Sequence, residues 1–295
     1  MAITAAMVKE LRELTGAGMM DCKKALGETD GDMDAAVEYL AKKGLAKAEK
    51  KAGRIAAEGI VALKVSDDAK KAVAVEVNSE TDFVAKNEKF QNYVAQVAAQ
   101  AMDTKATDIE GFLAETWSLD TTKTVNEELA SQIAVIGENL KIRRFAQVEE
   151  NNGFVADYVH MGGKIGVLVV LEGSNEEVAK DVAMHAAAMR PKYLDIESVP
   201  TEDLDKEREI QKQVAINEGK PDNIAEKMVE GRIKKYYKEV CLTEQPFVKN
   251  DDMSVSEFVK SNGGKIISMV RYEVGEGMQK REENFAEEVA KQING

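Results

Sequence analysis

The chain is short of proline, cysteine, histidine and tryptophan, with four, two, two and one of these among its 295 residues. So few prolines, together with 44% apolar residues, argue against disorder. Cys22 and Cys241 lie far apart and neither belongs to a Cys-x-x-Cys pair, which favours small buried thiols over a disulfide or a metal site. With His160 and His185 alone, His-rich metal chemistry and most triad mechanisms lack material. No apolar run reaches the roughly 18 residues of a membrane span. Met1 to Leu14 lacks the basic flank and apolar core of a signal peptide, so a soluble, cytoplasmic protein is expected. Positive charge is also scarce: 40 Lys and Arg against 53 Asp and Glu leave a net charge of -13 with no long basic tract. Nucleic acid and anionic membrane are therefore poor partners.

Enzyme signatures are missing too. The chain contains no Gly-x-x-x-x-Gly-Lys-Ser/Thr phosphate loop, no Gly-x-Gly-x-x-Gly between strand and helix, no His-Glu-x-x-His and no Gly-x-Ser-x-Gly. Carboxylates are abundant, but no pair can be placed across a cleft from sequence. An acidic hydrolase would require such a pair in a pocket.

What is present begins with a helical module over residues 1 to about 54. Thr4 is a candidate N-cap, and Met7, Leu11 and Leu14 recur on one helical face before Thr15-Gly16-Ala17-Gly18 stops the run. Met19, Cys22 and Leu26 form a second stripe. Asp30-Gly31-Asp32 makes a turn and cap, and Met33, Val37 and Leu40 form a third stripe. The pattern favours a core position for Met19 and leaves Met20 open between core and exposed apolar contact. Lys42 to Lys51 reads as a solvated helical linker.

From Gly59 the period becomes two. Val61, Leu63 and Val65, a turn at Ser66-Asp67-Asp68, and Val73, Val75 and Val77 predict an antiparallel hairpin. A helix follows, marked by Phe90, Val94, Val97 and Ala101. The same order returns as a hairpin over Phe154 to Val159 and Ile165 to Leu171, turned at Met161-Gly162-Gly163, then a helix with Val178, Val182, His185 and Met189. Arg144-Phe145 and Arg271-Tyr272 close the two units with similar strands. The chain thus reads as α+β, with a core of two copies of one sheet-plus-helix subdomain. The first covers 55-145 and the second 146-200 and 238-277.

Val125, Leu129, Ile133 and Ile136 predict a helix that stops at Gly137, with Trp117 before it as a packing anchor. Residues 201-237 are dominated by charge. Their sparse apolar marks at Leu204, Ile210 and Val214, then Ile224, Met228, Ile233 and Tyr237, predict an antiparallel helical hairpin with a thin seam, split at Gly219-Lys220-Pro221. It is an insertion in the second copy. A last amphipathic helix, with Phe285, Val289 and Ile293, is expected within 278-295.

Comparison of the copies isolates one stretch. Sixteen residues separate Val77 from Val94, whereas ten separate Leu171 from Val182, so the first copy carries six more. The excess falls at Thr81 to Lys86. A packed connection has no need of it, and long connections on rigid elements tend to carry function. A structural reading stands beside this one: Thr81-Asp82 is good N-cap chemistry, and Phe83-Val84 could pin the first turn to the sheet. His185 takes the place of Val97 and should be a buried, hydrogen-bonded core residue. His160, next to the Gly162-Gly163 turn, should be exposed, as an ordinary turn histidine would be.

The run Glu76-Val77-Asn78-Ser79-Glu80-Thr81-Asp82-Phe83-Val84-Ala85-Lys86-Asn87 resembles the Thr-Asp-Phe-Val signature of the elongation factor Ts family. Leu11-Arg12 through Thr15, Gly18-Met19, Asp21-Cys22-Lys23 and Ala25-Leu26 resembles the family's first signature, within a module similar to ubiquitin-associated (UBA-like) three-helix modules. The resemblance implies a guanine nucleotide exchange factor for elongation factor Tu. Thr81, Asp82, Phe83 and Val84 would form the exchange tip acting on the partner's Mg²⁺ site. Arg12, Met19, Met20 and His160 would be partner contacts, and the segment after Gly277 a fourth. It further implies a coiled-coil hairpin suited to partner or self association, no covalent step, and no cofactor of the protein's own. The competing reading is an adaptor that uses the three-helix module for recognition and keeps Thr81 to Val84 purely structural.

Overall fold

The computed structural model describes residues 3–219 and 221–279. The expected final helix, with Phe285, Val289 and Ile293, lies outside these residues, as does Lys220 of the hairpin turn. The described chain is mixed helix and sheet and forms two compact units. One contains the residues up to Ala62, Val75–Phe145 and those from Glu273; the other contains Leu63–Ala74 and Ala146–Tyr272.

The first unit opens with three helices, α1 (Ala5–Thr15), α2 (Met19–Glu28) and α3 (Met33–Lys51). The Thr4 side chain accepts from the Met7 amide at 3.3 Å and Asp32 from the Ala35 amide at 2.9 Å, so α1 and α3 start where capping chemistry dictates. Helices as short as α1 and α2 are marginal alone. They are held by a shared core of Val8, Leu11, Cys22, Ala25, Leu26 and Ala36, edged by Met7, Met33, Val37 and Leu40.

Two expectations fail here. Leu14 is 65% exposed, because the buried face of α1 runs through Val8 and Leu11 and ends before the left-handed Gly16 cap. Met19 is also exposed. As the first residue of α2 its side chain leans back past the helix end, where no described element covers it.

The solvated linker is likewise corrected. Lys42 to Lys51 continues α3, and one side of it is packed. Gly44 is buried there, and a Cβ on it would stand in ordinary contact with its neighbours, 3.6 Å from the Ala130 carbonyl oxygen and 3.7 Å from the Ala134 Cβ. Lys43 and Lys47 reach Asp21 at 2.6 and 2.9 Å and hold its carboxyl below the usual range.

Strands β1 (Glu58–Val65) and β2 (Lys71–Ser79) form the expected hairpin, closed by the Ser66 amide on the Lys71 carbonyl. Then come α4 (Asp82–Ala85), α5 (Glu88–Asp103), α6 (Ile109–Ala114), α7 (Val125–Ile136) and β3 (Lys141–Glu149), and the sheet order is β1-β2-β3. As the central strand, β2 is buried at every residue from Ala72 to Ser79. Phe90, Val94, Val97 and Ala101 of α5 are buried as expected, and Trp117 is buried beside Tyr93 with ring centres 6.3 Å apart. A capping box at Thr124 and Glu127 starts α7, and Gly137, at φ 90, ends it.

In the second unit β4 (Phe154–His160) pairs antiparallel with β5 (Ile165–Gly173), from Phe154↔Leu171 to His160↔Ile165. After α8 (Glu176–Met189) come α9 (Thr201–Asn217) and α10 (Asp222–Val240), β6 (Pro246–Phe247), β7 (Asn250–Ser254), α11 (Val255–Ser261) and β8 (Gly264–Glu273). The sheet order β4-β5-β8 repeats that of the first copy. Val178, Val182 and Ala186 of α8 pack with Val167, Val169 and Leu171 of β5, while Met189, at the end of the stripe, is exposed. On the other face Val155, Leu168 and Val170 meet Ala72 and Ala74.

Helices α9 and α10 pair as a hairpin. Its seam differs from the expected one: Ile210, Val214 and Ile224 are exposed, and Ala215, Val229 and Ile233 are buried. At its base Leu204 and Tyr237 pack with Val199, Val240 and Cys241. Burial pushes the Cys241 thiol up to about 11, and nearby Glu244 and Asp195 add to the effect.

Candidate functional site

The extra residues of the first copy now have a position. In both copies an asparagine caps the core helix: Asn87 accepts from the Lys89 amide at 2.9 Å and Asn175 from the Val178 amide at 3.0 Å. One residue, Ser174, lies between β5 and Asn175, whereas Glu80 to Lys86 lie between β2 and Asn87. Thr81 therefore does not cap the long helix, as the structural reading supposed. It caps the four-residue α4, accepting from the Val84 amide at 3.3 Å.

Leaving the sheet, Glu80 and Thr81 need new partners for their backbone N–H groups. Both donate to one oxygen of Glu138, each at 3.0 Å, and the Thr81 hydroxyl donates to the other oxygen at 2.7 Å. The Glu80 carboxylate in turn accepts from the Asn139 amide at 2.6 Å and from Arg54 at 3.5 Å. Asn139 donates from its side chain to the Arg54 carbonyl at 2.8 Å.

On this fixed base the side chains divide. Phe83 is 80% exposed, the most exposed large apolar side chain among the described residues. It does not pin the turn to the sheet. Asp82 is half-exposed and pairs with Lys86 at 2.7 Å, Val84 is half-buried, and Ala85 is buried. An exposed phenylalanine on a rigid turn gives up burial that folding would otherwise gain, as binding surfaces do.

Three positions before Ser79, Glu76 is fully buried. Arg143 approaches its carboxylate at 3.0 and 3.2 Å, Arg144 at 2.6 Å, the Gly275 amide at 2.8 Å and the Asn78 side chain at 3.0 Å. Such saturation is what a buried charge needs. It fixes the strand that carries the tip.

Of the other predicted site residues, Arg12, Met19 and Met20 are exposed on α1 and α2, and Leu14 joins them as an exposed apolar side chain that the sequence reading had turned inward. His160 belongs to the other unit. It is half-buried rather than exposed, stacked on Tyr158 with ring centres 6.0 Å apart. Val159 and Met161 beside it are exposed. His185 is buried as expected: its Nδ1 accepts from the Val248 amide at 3.1 Å, so Nε2 carries the proton toward Gln245 at 3.0 Å. Burial pushes its pKa below the ordinary imidazole value, against the opposing effect of the hydrogen bond it donates to Gln245.

The model of the family described as Elongation factor TS matches residues 80–276, more than half of the chain. The chain belongs to the elongation factor Ts family. Membership places it in translation elongation, among the exchange factors of elongation factor Tu, which perform no covalent chemistry. The match begins at Glu80, so it takes in the whole insertion and His160, while Arg12, Met19 and Met20 precede the matched segment.

Glu138, Glu80 and Asn139 were not found from sequence. The Gly137 helix stop was legible, but nothing in the spacing links Glu138 to Thr81, 57 residues earlier. A hydrogen-bonding role for a glutamate directly after a glycine cap leaves no periodic mark.

Proposed function

We propose that the protein binds elongation factor Tu in its GDP form and promotes GDP release by disturbing the Mg²⁺ and phosphate site, so that GTP can bind. The observation that carries this reading is Phe83, 80% exposed on a turn whose backbone is held by Glu138. Inserted into the partner, a phenylalanine side chain gains roughly 1.5 to 3 kcal/mol by burial. Mg²⁺ demands near-ideal octahedral geometry, so a small displacement of the groups that carry its waters is costly to it. Asp82, beside Phe83, perturbs that water arrangement, and its negative charge opposes return of the phosphates. Thr81 and Val84 complete the tip.

Linkage makes the action reversible. The factor by which the protein weakens nucleotide binding is the factor by which nucleotide weakens binding of the protein, so incoming GTP or GDP dissolves the nucleotide-free complex. The reaction runs in the cytoplasm and needs no cofactor of the protein's own. Further contacts hold the partner: Arg12, Met19 and Met20 on the UBA-like module, His160 on the second subdomain, and the segment after Gly277. Flexible methionines suit such an apolar contact. The α9–α10 hairpin, with Ile210, Val214 and Ile224 exposed, provides a coiled-coil surface for self association of the complex.

The test is release of fluorescent GDP from purified elongation factor Tu with and without the protein. Fast release that is blunted by excess Mg²⁺ supports the reading. Release at the unassisted rate rejects it and leaves the adaptor role.

A further inference from the structure

We infer that Glu138 is a positioning residue for nucleotide exchange: it holds the tip in its working conformation without touching the partner. The inference rests on the exchange reading above.

The insertion creates a problem that the fold must solve. Glu80 and Thr81 have left the sheet, and α4 has only four residues, too few for an α-helix to be stable by itself. A tip on such a base would sample many conformations, and docking it would cost the ordering of each residue. One carboxylate removes that freedom at three points, through the Glu80 amide, the Thr81 amide and the Thr81 hydroxyl.

The hydroxyl contact also orients the cap. Because the Thr81 proton points to Glu138, a lone pair of the oxygen is left facing the Val84 amide, and α4 begins there. Asp82 and Phe83 are the first two residues of that helix, so their directions follow from this bond.

The clamp is reciprocal and anchored. Glu80 returns the contact to the Asn139 amide, so segments 80–81 and 138–139 each supply a carboxylate to the other's backbone. Gly137, at φ 90, turns the chain out of α7 and delivers Glu138 to the tip. Lys51 at the end of α3 donates to the Gly137 carbonyl, and Asn139 donates to the Arg54 carbonyl. The same three residues, 137 to 139, thus fasten the tip to α7 and to the last turn of the helix that carries the N-terminal module.

Misplacement of a reacting or wedging group by about 1 Å can cost on the order of a hundredfold in rate. A positioning residue should therefore act on the maximal rate of exchange more than on affinity, because Met19, Met20 and the other contacts remain. The experiment measures GDP release from elongation factor Tu as a function of factor concentration for the full-length protein, Glu138→Gln and Glu138→Ala. Alongside it, amide hydrogen exchange is measured at Glu80 and Thr81. The expected result is slow amide exchange in the unaltered protein, lost in Glu138→Ala. The maximal release rate should fall about tenfold or more while the half-saturating concentration changes less than about threefold. Glu138→Gln, which keeps the shape and one good acceptor, should restore part of both readouts.

Two results would overturn the inference. One is a wild-type maximal rate in Glu138→Ala despite unprotected amides; the other is amide protection unchanged by loss of Glu138. Should Glu138→Ala fail to fold, the same two comparisons are made on Glu138→Gln. If the unaltered protein accelerates nothing while its amides are protected, the exchange reading itself has failed, and the clamp is a structural feature with no positioning role.

Discussion

His185 and Glu76 are both fully buried, and each is held there by hydrogen bonds. His185 is neutral in the fold, since Nδ1 already accepts a backbone N–H and burial lowers its pKa from the ordinary 6.5. As pH falls below that value the unfolded chain takes up a proton before the folded one, so unfolding becomes easier. The stabilisation is complete above about pH 6.5 and is lost toward the lower folded pKa, with a slope of up to ~1.4 kcal/mol per pH unit. Urea titrations at pH 7.5 and pH 5.5 should show the loss, and His185→Gln should flatten the dependence over that window. Glu76 is charged and saturated by two arginines. Glu76→Ala removes the acceptor shared by Arg143, Arg144 and the Gly275 amide and should cost about 1 to 3 kcal/mol in the same titration, since Arg144 keeps Glu276 and both arginines keep backbone carbonyls.

At the scale of elements, the strand beneath the tip depends on one close approach. Gly59 adopts φ 137, and a Cβ there would stand 2.2 Å from the Val77 carbonyl oxygen and 2.7 Å from the Asn78 Cα. Both neighbours are backbone of β2 and cannot swing aside. Gly59→Ala should therefore lower stability by roughly 2 kcal/mol or more, measured as a fall in the denaturation midpoint.

The elements themselves were largely legible, because periodicity reports burial. The two hairpins, their helices, the α7 stop and the buried Cys22 and Cys241 follow from spacing and caps alone. What spacing reports poorly is the end of a stripe. Leu14, Met19 and Met189 continue an apolar period past the point where a neighbour covers it, and the hairpin seam settles on Ala215 because a small residue lets two helices approach. The Lys42 to Lys51 segment misleads for a different reason: Gly44 is invisible as an apolar residue, yet it marks the packed side. The tip was located by comparing the two copies, whereas the clamp that holds it was not, since side-chain acceptors for stray amides have no sequence period.

For the whole molecule, the six-residue excess between sheet and core helix is where the first subdomain copy departs from the second and acquires an exposed aromatic. The same strand order and helix serve in both copies as scaffold. The second copy spends one residue where the first spends seven, and only the first has a Phe83. The exchange reading proposed above puts the action at this tip, and the exposure of Phe83 supports it.

The most direct measurement is the rate of fluorescent GDP release from elongation factor Tu driven by Phe83→Ala, compared with the unaltered protein at saturating concentration. Phe83 is 80% exposed, so its truncation should leave the thermal midpoint within about 2 °C. The account predicts a maximal release rate lower by about tenfold or more, equivalent to at least ~1.4 kcal/mol of lost wedge energy. Release by Phe83→Ala at the rate of the unaltered protein would contradict the account and move the working surface away from the tip.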